Sequence, residues 1–316
     1  MNTPKKITRR EWNGLMLAGL AGLIIPGSAT SCKVPASASN SGLINTDDGV
    51  IIGLQTYSLR DRSLDDAIKA MVQWGIKSCE LWEGHIEPRE LQWKRNSTPE
   101  ETKRKREELR QWRDNLNMKD IYTIRDKLTD AGIVVQAYNG GIKDNISEND
   151  LELVFKIAEA LGTDTITTSA TVSVMKRVDV HAKKYKIKVG MHNHAHVNQP
   201  NEFATPDSFA RGMSGLSDYI RVNLDIGHFT AANFDAVAYM REHHKKIVCI
   251  HVKDRKKDQG ANVAFGQGDT PIAEALRLIR DNKWPIPANI EYEFKKEDTL
   301  TDIENSINYC KNVLKT

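Results

Sequence analysis

From Val50 onward the chain alternates short apolar runs with amphipathic stretches, and no other feature constrains its fold as tightly. The runs fall at 50–57, 76–82, 133–138, 163–169, 187–193, 220–225, 246–252 and 288–294. Helical patterns lie between them, at 64–73, 99–129, 149–161, 172–184, 206–213, 234–243, 271–281 and 300–314. Ser63 followed by Asp65 and Asp66 starts a helix. Gly75, Gly132 and Gly162 sit where helices should stop. Eight strand–helix units in about 265 residues predict an α/β protein, a single-domain (β/α)8 TIM barrel over 49–316. A doubly wound sheet would carry a glycine-rich phosphate loop after its first strand. Here that strand runs into Gln55-Thr56-Tyr57-Ser58-Leu59, with no GxGxxG.

Charge narrows the function. The chain has 316 residues and a net charge of +3. Four of its 45 basic residues and one of its 42 acidic residues lie in 1–32, so the remainder is neutral. A neutral body lacks the basic excess that phosphate backbones require, which argues against nucleic acid as a partner. The charge-dense stretch 87–119 interleaves its acids with its bases at helical spacing, and reads as a solvated helix laced with ion pairs.

The N-terminus reads as an address. Lys5, Lys6, Arg9 and Arg10 precede the apolar run 14–25, and small residues follow up to Ser31. That order is a signal peptide over 1–32. Thr8-Arg9-Arg10-Glu11-Trp12 resembles the twin-arginine motif. Ala29-Thr30-Ser31-Cys32 resembles a lipoprotein cleavage box, which makes Cys32 the expected lipid anchor. Residues 33–48, rich in Ser, Ala and Asn, read as a flexible tether. The expected location is therefore the periplasm or a membrane-anchored lipoprotein of a Gram-negative envelope. The apolar run is too short to span a bilayer, so no transmembrane segment is expected. Cys79 and Cys249 lie in strand-like runs, without zinc-type spacing, and read as buried free thiols.

Four late strands end in metal-ligand chemistry. Strand five gives Gly190-Met-His192-Asn-His194-Ala-His196, strand six Asp225-Ile-Gly-His228, strand seven His251-Val-Lys253-Asp254, and strand eight Glu291-Tyr-Glu293. The C-terminal ends of barrel strands converge on one pocket, so residues far apart in sequence become neighbours. Two His, one Asp and one Glu form a mixed shell suited to Mn, Co, Zn, Fe or Mg rather than Ca. His192, Asp225, His251 and Glu291 are the expected ligands. In an extended strand His192 and His194 point the same way and Asn193 the other. His228, His194 and Glu291 are the candidate bases. His228 is favoured, because a loop imidazole can approach substrate without competing for the metal. His196 reads as a loop surface residue. Glu80, Trp82, His85, Lys253 and Glu293, near strand ends, are the expected substrate contacts.

These motifs, with Gly266-Gln-Gly-Asp269 between the last two, resemble the sugar phosphate isomerase/epimerase family of xylose-isomerase-like TIM barrels. The resemblance spans about 50–316. It implies one divalent metal held by His192, Asp225, His251 and Glu291, with a homo-oligomer compatible. It also exposes a departure. The ketose epimerases this chain resembles carry glutamate at the strand-five position, and two glutamates work there as paired acid and base. With His192 in that place, Glu291 is the single carboxylate left of the pair. The implied activity is metal-assisted proton abstraction beside the carbonyl of an unphosphorylated sugar or keto-sugar, by an isomerase or epimerase. The same first step serves a 3-keto-glycoside lyase or hydratase. Two further readings are a nuclease, which the neutral body disfavours, and a sugar-binding lipoprotein without catalysis.

Overall fold

Strand β1 (Ile52–Gln55) pairs in parallel with β2 (Ser78–Trp82) on one side and β10 (Ala288–Ile290) on the other, so the sheet has no edge. Strands β3 (Val134–Asn139), β4 (Thr165–Thr168), β5 (Lys188–His192), β6 (Ile220–Asp225) and β7 (Ile247–Val252) complete the ring. Its order is β1-β10-β7-β6-β5-β4-β3-β2, the eight-stranded barrel expected from the sequence. This computed structural model describes residues 47–92, 97–294 and 297–316. The expected signal peptide at 1–32, with Cys32, lies outside them, as does the expected tether up to residue 46.

Helices follow the strands, and most of them bury one face. Ser63 caps α1 (Leu64–Gln73), its hydroxyl accepting from the Asp66 N–H, and Ala67, Ala70 and Met71 face inward. Helix α4 (Glu148–Leu161) buries Phe155 and six neighbours and stops at Gly162, in the left-handed region at φ 79°. Each large side chain buried this way contributes about 1.5–3 kcal/mol. The remaining helices are α5 (Met175–Tyr185), α6 (Pro206–Met213), α7 (Ile226–Ala231), α8 (Ala236–His243), α9 (Ile272–Asn282) and α10 (Thr299–Leu314). Among the described residues no helix is long and apolar enough to cross a membrane. Cys79, Cys249 and Cys310 are buried and free.

Three local departures have physical causes. The helix expected over 99–129 is two, α2 (Pro99–Asp114) and α3 (Met118–Asp130). The Asn115 side chain bonds the Gln111 carbonyl, and Asn117 accepts from the Lys119 N–H. Both compete with the helical ladder. Helix α2 buries no residue and carries the Arg104–Glu108 and Arg110–Glu107 pairs, as its charge pattern implied. The eighth barrel strand ends at Ile290 rather than 294, because the Tyr292 N–H leaves the ladder for Ser58 Oγ. A short hairpin, β8 (Asp254–Arg255) with β9 (Asn262–Val263), follows β7 and was invisible to periodicity, its strands being two residues long.

Candidate functional site

At the C-terminal mouth of the barrel, β5, β6 and β7 and the residue after β10 bring together His192, Asp225, His251 and Glu291, all buried. One donor atom from each lies within 4.8 Å of the others. His192 Nε2 is 3.4 Å from Asp225 Oδ2 and 3.9 Å from Glu291 Oε2, and His251 Nδ1 is 2.8 Å from Glu291 Oε2. His192 Nε2 is buried without a hydrogen bond, and Asp225 Oδ2 is met by the Lys253 ammonium alone among fixed cations. Orphaned buried atoms are costly unless something meets them. Two imidazoles and two carboxylates with such an orphan fit a divalent transition metal.

The surroundings aim these donors. Asn193 turns away from the centre and clamps the Asp225 peptide, donating to its carbonyl at 3.1 Å and accepting from its N–H at 2.9 Å. Asp225 Oδ1 caps α7 through the His228 N–H, which leaves Oδ2 for the centre. Beneath, Glu80 is fully buried and accepts from Gln55, Thr167 and Asn289 as well as His251 Nε2 at 2.8 Å. Imidazole ligands commonly donate their second N–H to such a carboxylate, which fixes ring and tautomer. The expectation that Glu80 touches substrate is therefore corrected: it lies under His251 and orients it. His85 is corrected likewise. It bonds Thr56 Oγ1 and packs edge-on behind Trp82, as a wall support.

Electrostatics are dominated by Lys253, which is 2% exposed. Its ammonium sits 3.1 Å from Asp225 Oδ2 and 3.0 Å from Glu291 Oε2, and also pairs with Glu293. Burial alone would raise the Asp225 and Glu291 carboxyls. His228 and Lys253 override it at Asp225, and Lys253 and His251 do so at Glu291; both end well below the usual range. Burial would lower the His251 pKa, but Glu80 and Glu291 lift it well above normal, so a proton leaves when a metal binds. Gly227 makes room for this lysine, since a Cβ there would lie 2.3 Å from Lys253 Cγ. Asp254, next in sequence, accepts from the N–H groups of Gly266, Gly268 and Thr270. That contact explains Gly268 of the Gly266–Asp269 motif, because a Cβ there would strike the Asp254 carboxylate.

His228 differs from its expected role. Arg255 Nη1 meets its Nδ1 at 2.6 Å and Lys253 Nζ its Nε2 at 3.1 Å. A guanidinium and an ammonium only donate, so donors face both ring nitrogens, and a neutral ring can accept at just one of them. Burial pushes its pKa well down, against the pull of Asp225. A neutral ring whose single lone pair is already met by one of these cations is a poor base. The preference for His228 as the base is corrected on this ground. His194 lies beyond the end of β5, its ring 5.1 Å from that of His192.

A cavity of about 320 Å³ opens above the centre. Trp82, His194, His228, Lys253, Glu291 and Glu293 line it. Sequence reasoning missed Tyr57, Glu83, Asn139 and Lys143 in its wall. Glu83 directly follows β2 and accepts from the Gly141 N–H, a position at a strand end that could have flagged it. Among the described lining cations, Lys143 is the one without a carboxylate partner.

The sequence matches the xylose isomerase-like TIM barrel family over residues 68–313. The chain belongs to that family. Among curated proteins none shows significant similarity to it. Solved structures of similar fold include the IolI protein with a bound zinc atom, at 14% identity and TM-score 0.61, covering 84% of this chain and 98% of that one. The 3-keto-D-glucoside 4-epimerase YcjR of E. coli is 12% identical with TM-score 0.60, over 83% of this chain and 99% of its own. The probable 3-DHS dehydratase AsbF of Bacillus anthracis is 14% identical with TM-score 0.58, over 84% and 98%. At such identity these likenesses concern the fold. This xylose isomerase-like barrel has the mixed donor set at the mouth, where the loops of such barrels carry their chemistry.

Proposed function

We propose that the protein is a divalent-metal-dependent enzyme that abstracts the proton alpha to the carbonyl of an unphosphorylated sugar or keto-sugar. The observation that carries this reading is Glu291. Its Oε2 faces the donor cluster, while its Oε1 has no hydrogen bond among the described residues and the side chain lines the cavity. A metal held by His192, Asp225, His251 and Glu291 would act as a Lewis acid on the substrate carbonyl. Glu291 Oε1 takes the alpha proton, and the electron pair of the C–H bond moves toward the carbonyl oxygen. Ionised and of low basicity, Glu291 suits only a C–H bond already acidified by that carbonyl. His228 and Lys253 line the substrate space beside Glu291, and Trp82 offers an apolar wall.

A cavity of about 320 Å³ is within the range of small-ligand sites. Lys253 is neutralised by three carboxylates and Arg255 is spent on His228 and the Gly260 carbonyl. Lys143 alone is a poor phosphate clamp, which favours an unphosphorylated substrate.

The position of His192 favours a second reading. With no glutamate at that strand end, one carboxylate base serves one face. Isomerisation and β-elimination need no more, whereas epimerisation needs proton delivery from the opposite side. A 3-keto-glycoside lyase or hydratase would use Glu291 as the base, and the proton it takes from C2 would pass to the departing C1 oxygen as the C1–O bond breaks and the C1–C2 double bond forms. Incubating metal-loaded protein with ketoses and 3-keto-glycosides in D2O, followed by NMR, tests both. Deuterium at the carbon alpha to the carbonyl is expected, and the products separate isomerase from lyase. No exchange with any member of the panel rejects the enzyme reading in favour of a sugar-binding protein.

We also infer an envelope location from residues 1–32. Replacing Arg9 and Arg10 by Lys should trap the precursor in the cytoplasm on fractionation. Undiminished export would remove the twin-arginine route.

A further inference from the structure

Beyond the buried cluster, the third histidine of the strand-five motif falls into a second group. We propose that His194, His196 and Glu202 form a second divalent-cation site, at the rim of the cavity. Glu202 Oε2 lies 3.0 Å from His196 Nδ1 and 3.6 Å from His194 Nδ1. One donor atom from each of the three lies within 4.8 Å of the others.

The backbone holds this arrangement without relying on the three side chains. The His194 N–H bonds the Phe203 carbonyl, so the segment between them doubles back. The N–H groups of Val197, Gln199 and Glu202 each bond a carbonyl two or three residues earlier. Thr171 and Glu202 form an antiparallel bridge that ties the returning chain to the loop after β4. A tightly closed loop therefore delivers two imidazoles and a carboxylate to one point. The set is shared between two loop positions and Glu202, and none of it belongs to the buried ligands.

Two His and one carboxylate are a zinc-type donor set, and three protein donors leave a fourth position open. His194 also lines the cavity, so that position faces bound substrate. The ligand class is thus an imidazole-preferring ion such as Zn²⁺ or Co²⁺, with a substrate hydroxyl or a water completing it. His196 is 55% exposed, so this site is wetter and weaker than the buried one.

Equilibrium dialysis of the metal-free full chain against Zn²⁺, read by elemental analysis, tests it. Two equivalents are expected for the parent, the second weaker. Outer partners of metal ligands alone are worth about 10–100-fold in affinity, so losing a direct ligand should cost at least about tenfold. His196→Ala and Glu202→Gln should therefore each lose the weaker equivalent and keep the tighter. Asp225→Asn should lose the tighter and keep the weaker. Both test positions lie on a loop held by backbone bonds, His196 exposed and Glu202 partly buried, and a circular dichroism melt verifies folding. A single equivalent in the parent, or two in His196→Ala and Glu202→Gln, overturns the proposal.

Discussion

Asp225→Ala and His251→Ala should each abolish tight metal binding in the buried cluster and lower turnover by at least about a thousandfold. The expectation follows from geometry: each removes one of four converging donors, and in each case a cavity opens where the ion would sit. Loss of one donor to a developing oxyanion costs about 10²–10³ in rate, and losing the ion forfeits more. The two variants should differ in stability. Asp225 caps α7 through Oδ1, and a lost cap costs about 0.5–2 kcal/mol. Asp225→Asn keeps an oxygen for the cap and should separate the cap from the charge. His251→Ala leaves Glu80 buried with only neutral donors from Gln55, Thr167 and Asn289, and should melt at a lower temperature than Asp225→Ala. Metal analysis after dialysis and a thermal melt measure both. Full occupancy of the buried site in both variants would sink the ligand assignment.

The ring of strands was readable because parallel barrel strands are short, apolar and separated by periodic helices. Strand β6 matched its expected limits, Ile220–Asp225, and helix α1 did so too. The strand ends were less readable, because backbone partners outside the ladder decide them. Gln55 ends β1 by accepting from the Tyr57 N–H, and Ser58 takes the Tyr292 N–H away from the last strand. The break between α2 and α3 rests on asparagine side chains, which a hydrophobic pattern does not register.

At the site, the ligand types were legible and their supports were not. Periodicity placed His192 and His194 on one side, and Asn193 does turn the other way. That Asn193 would grip both polar groups of the Asp225 peptide needed the register of β5 against β6. Glu80 looked like a substrate contact because it nears a strand end. Only the pairing of β2 with its neighbours shows that it sits one layer down, among Gln55, Thr167 and Asn289. His228 looked like a free imidazole because Arg255, a donor that meets its Nδ1, belongs to a two-residue strand no pattern predicts.

Lys253→Met should destabilise the metal-free protein by about 3–5 kcal/mol and at the same time strengthen its response to divalent metal. The first effect is the cost of removing one partner from a buried ion cluster. Without the ammonium, Asp225, Glu291 and Glu293 keep their negative charges with too few cations to meet them. The second effect follows from the same contacts. Lys253 Nζ lies 3.1 Å from Asp225 Oδ2 and 3.0 Å from Glu291 Oε2, the two oxygens an ion would take. Ammonium and metal therefore compete for them in the parent, whereas in the variant the metal meets unpaired carboxylates. Methionine keeps most of the volume beside Gly227, so the change is chiefly one of charge. Ligand binding to the native state raises stability with the logarithm of free metal over its dissociation constant. Melting temperature against Zn²⁺ concentration should thus start lower and climb more steeply for Lys253→Met than for the parent. Adding Glu293→Gln should recover part of the metal-free loss by removing one of the stranded charges. A metal-free variant as stable as the parent, with the same metal dependence, would show that Lys253 neither balances nor competes for the carboxylates.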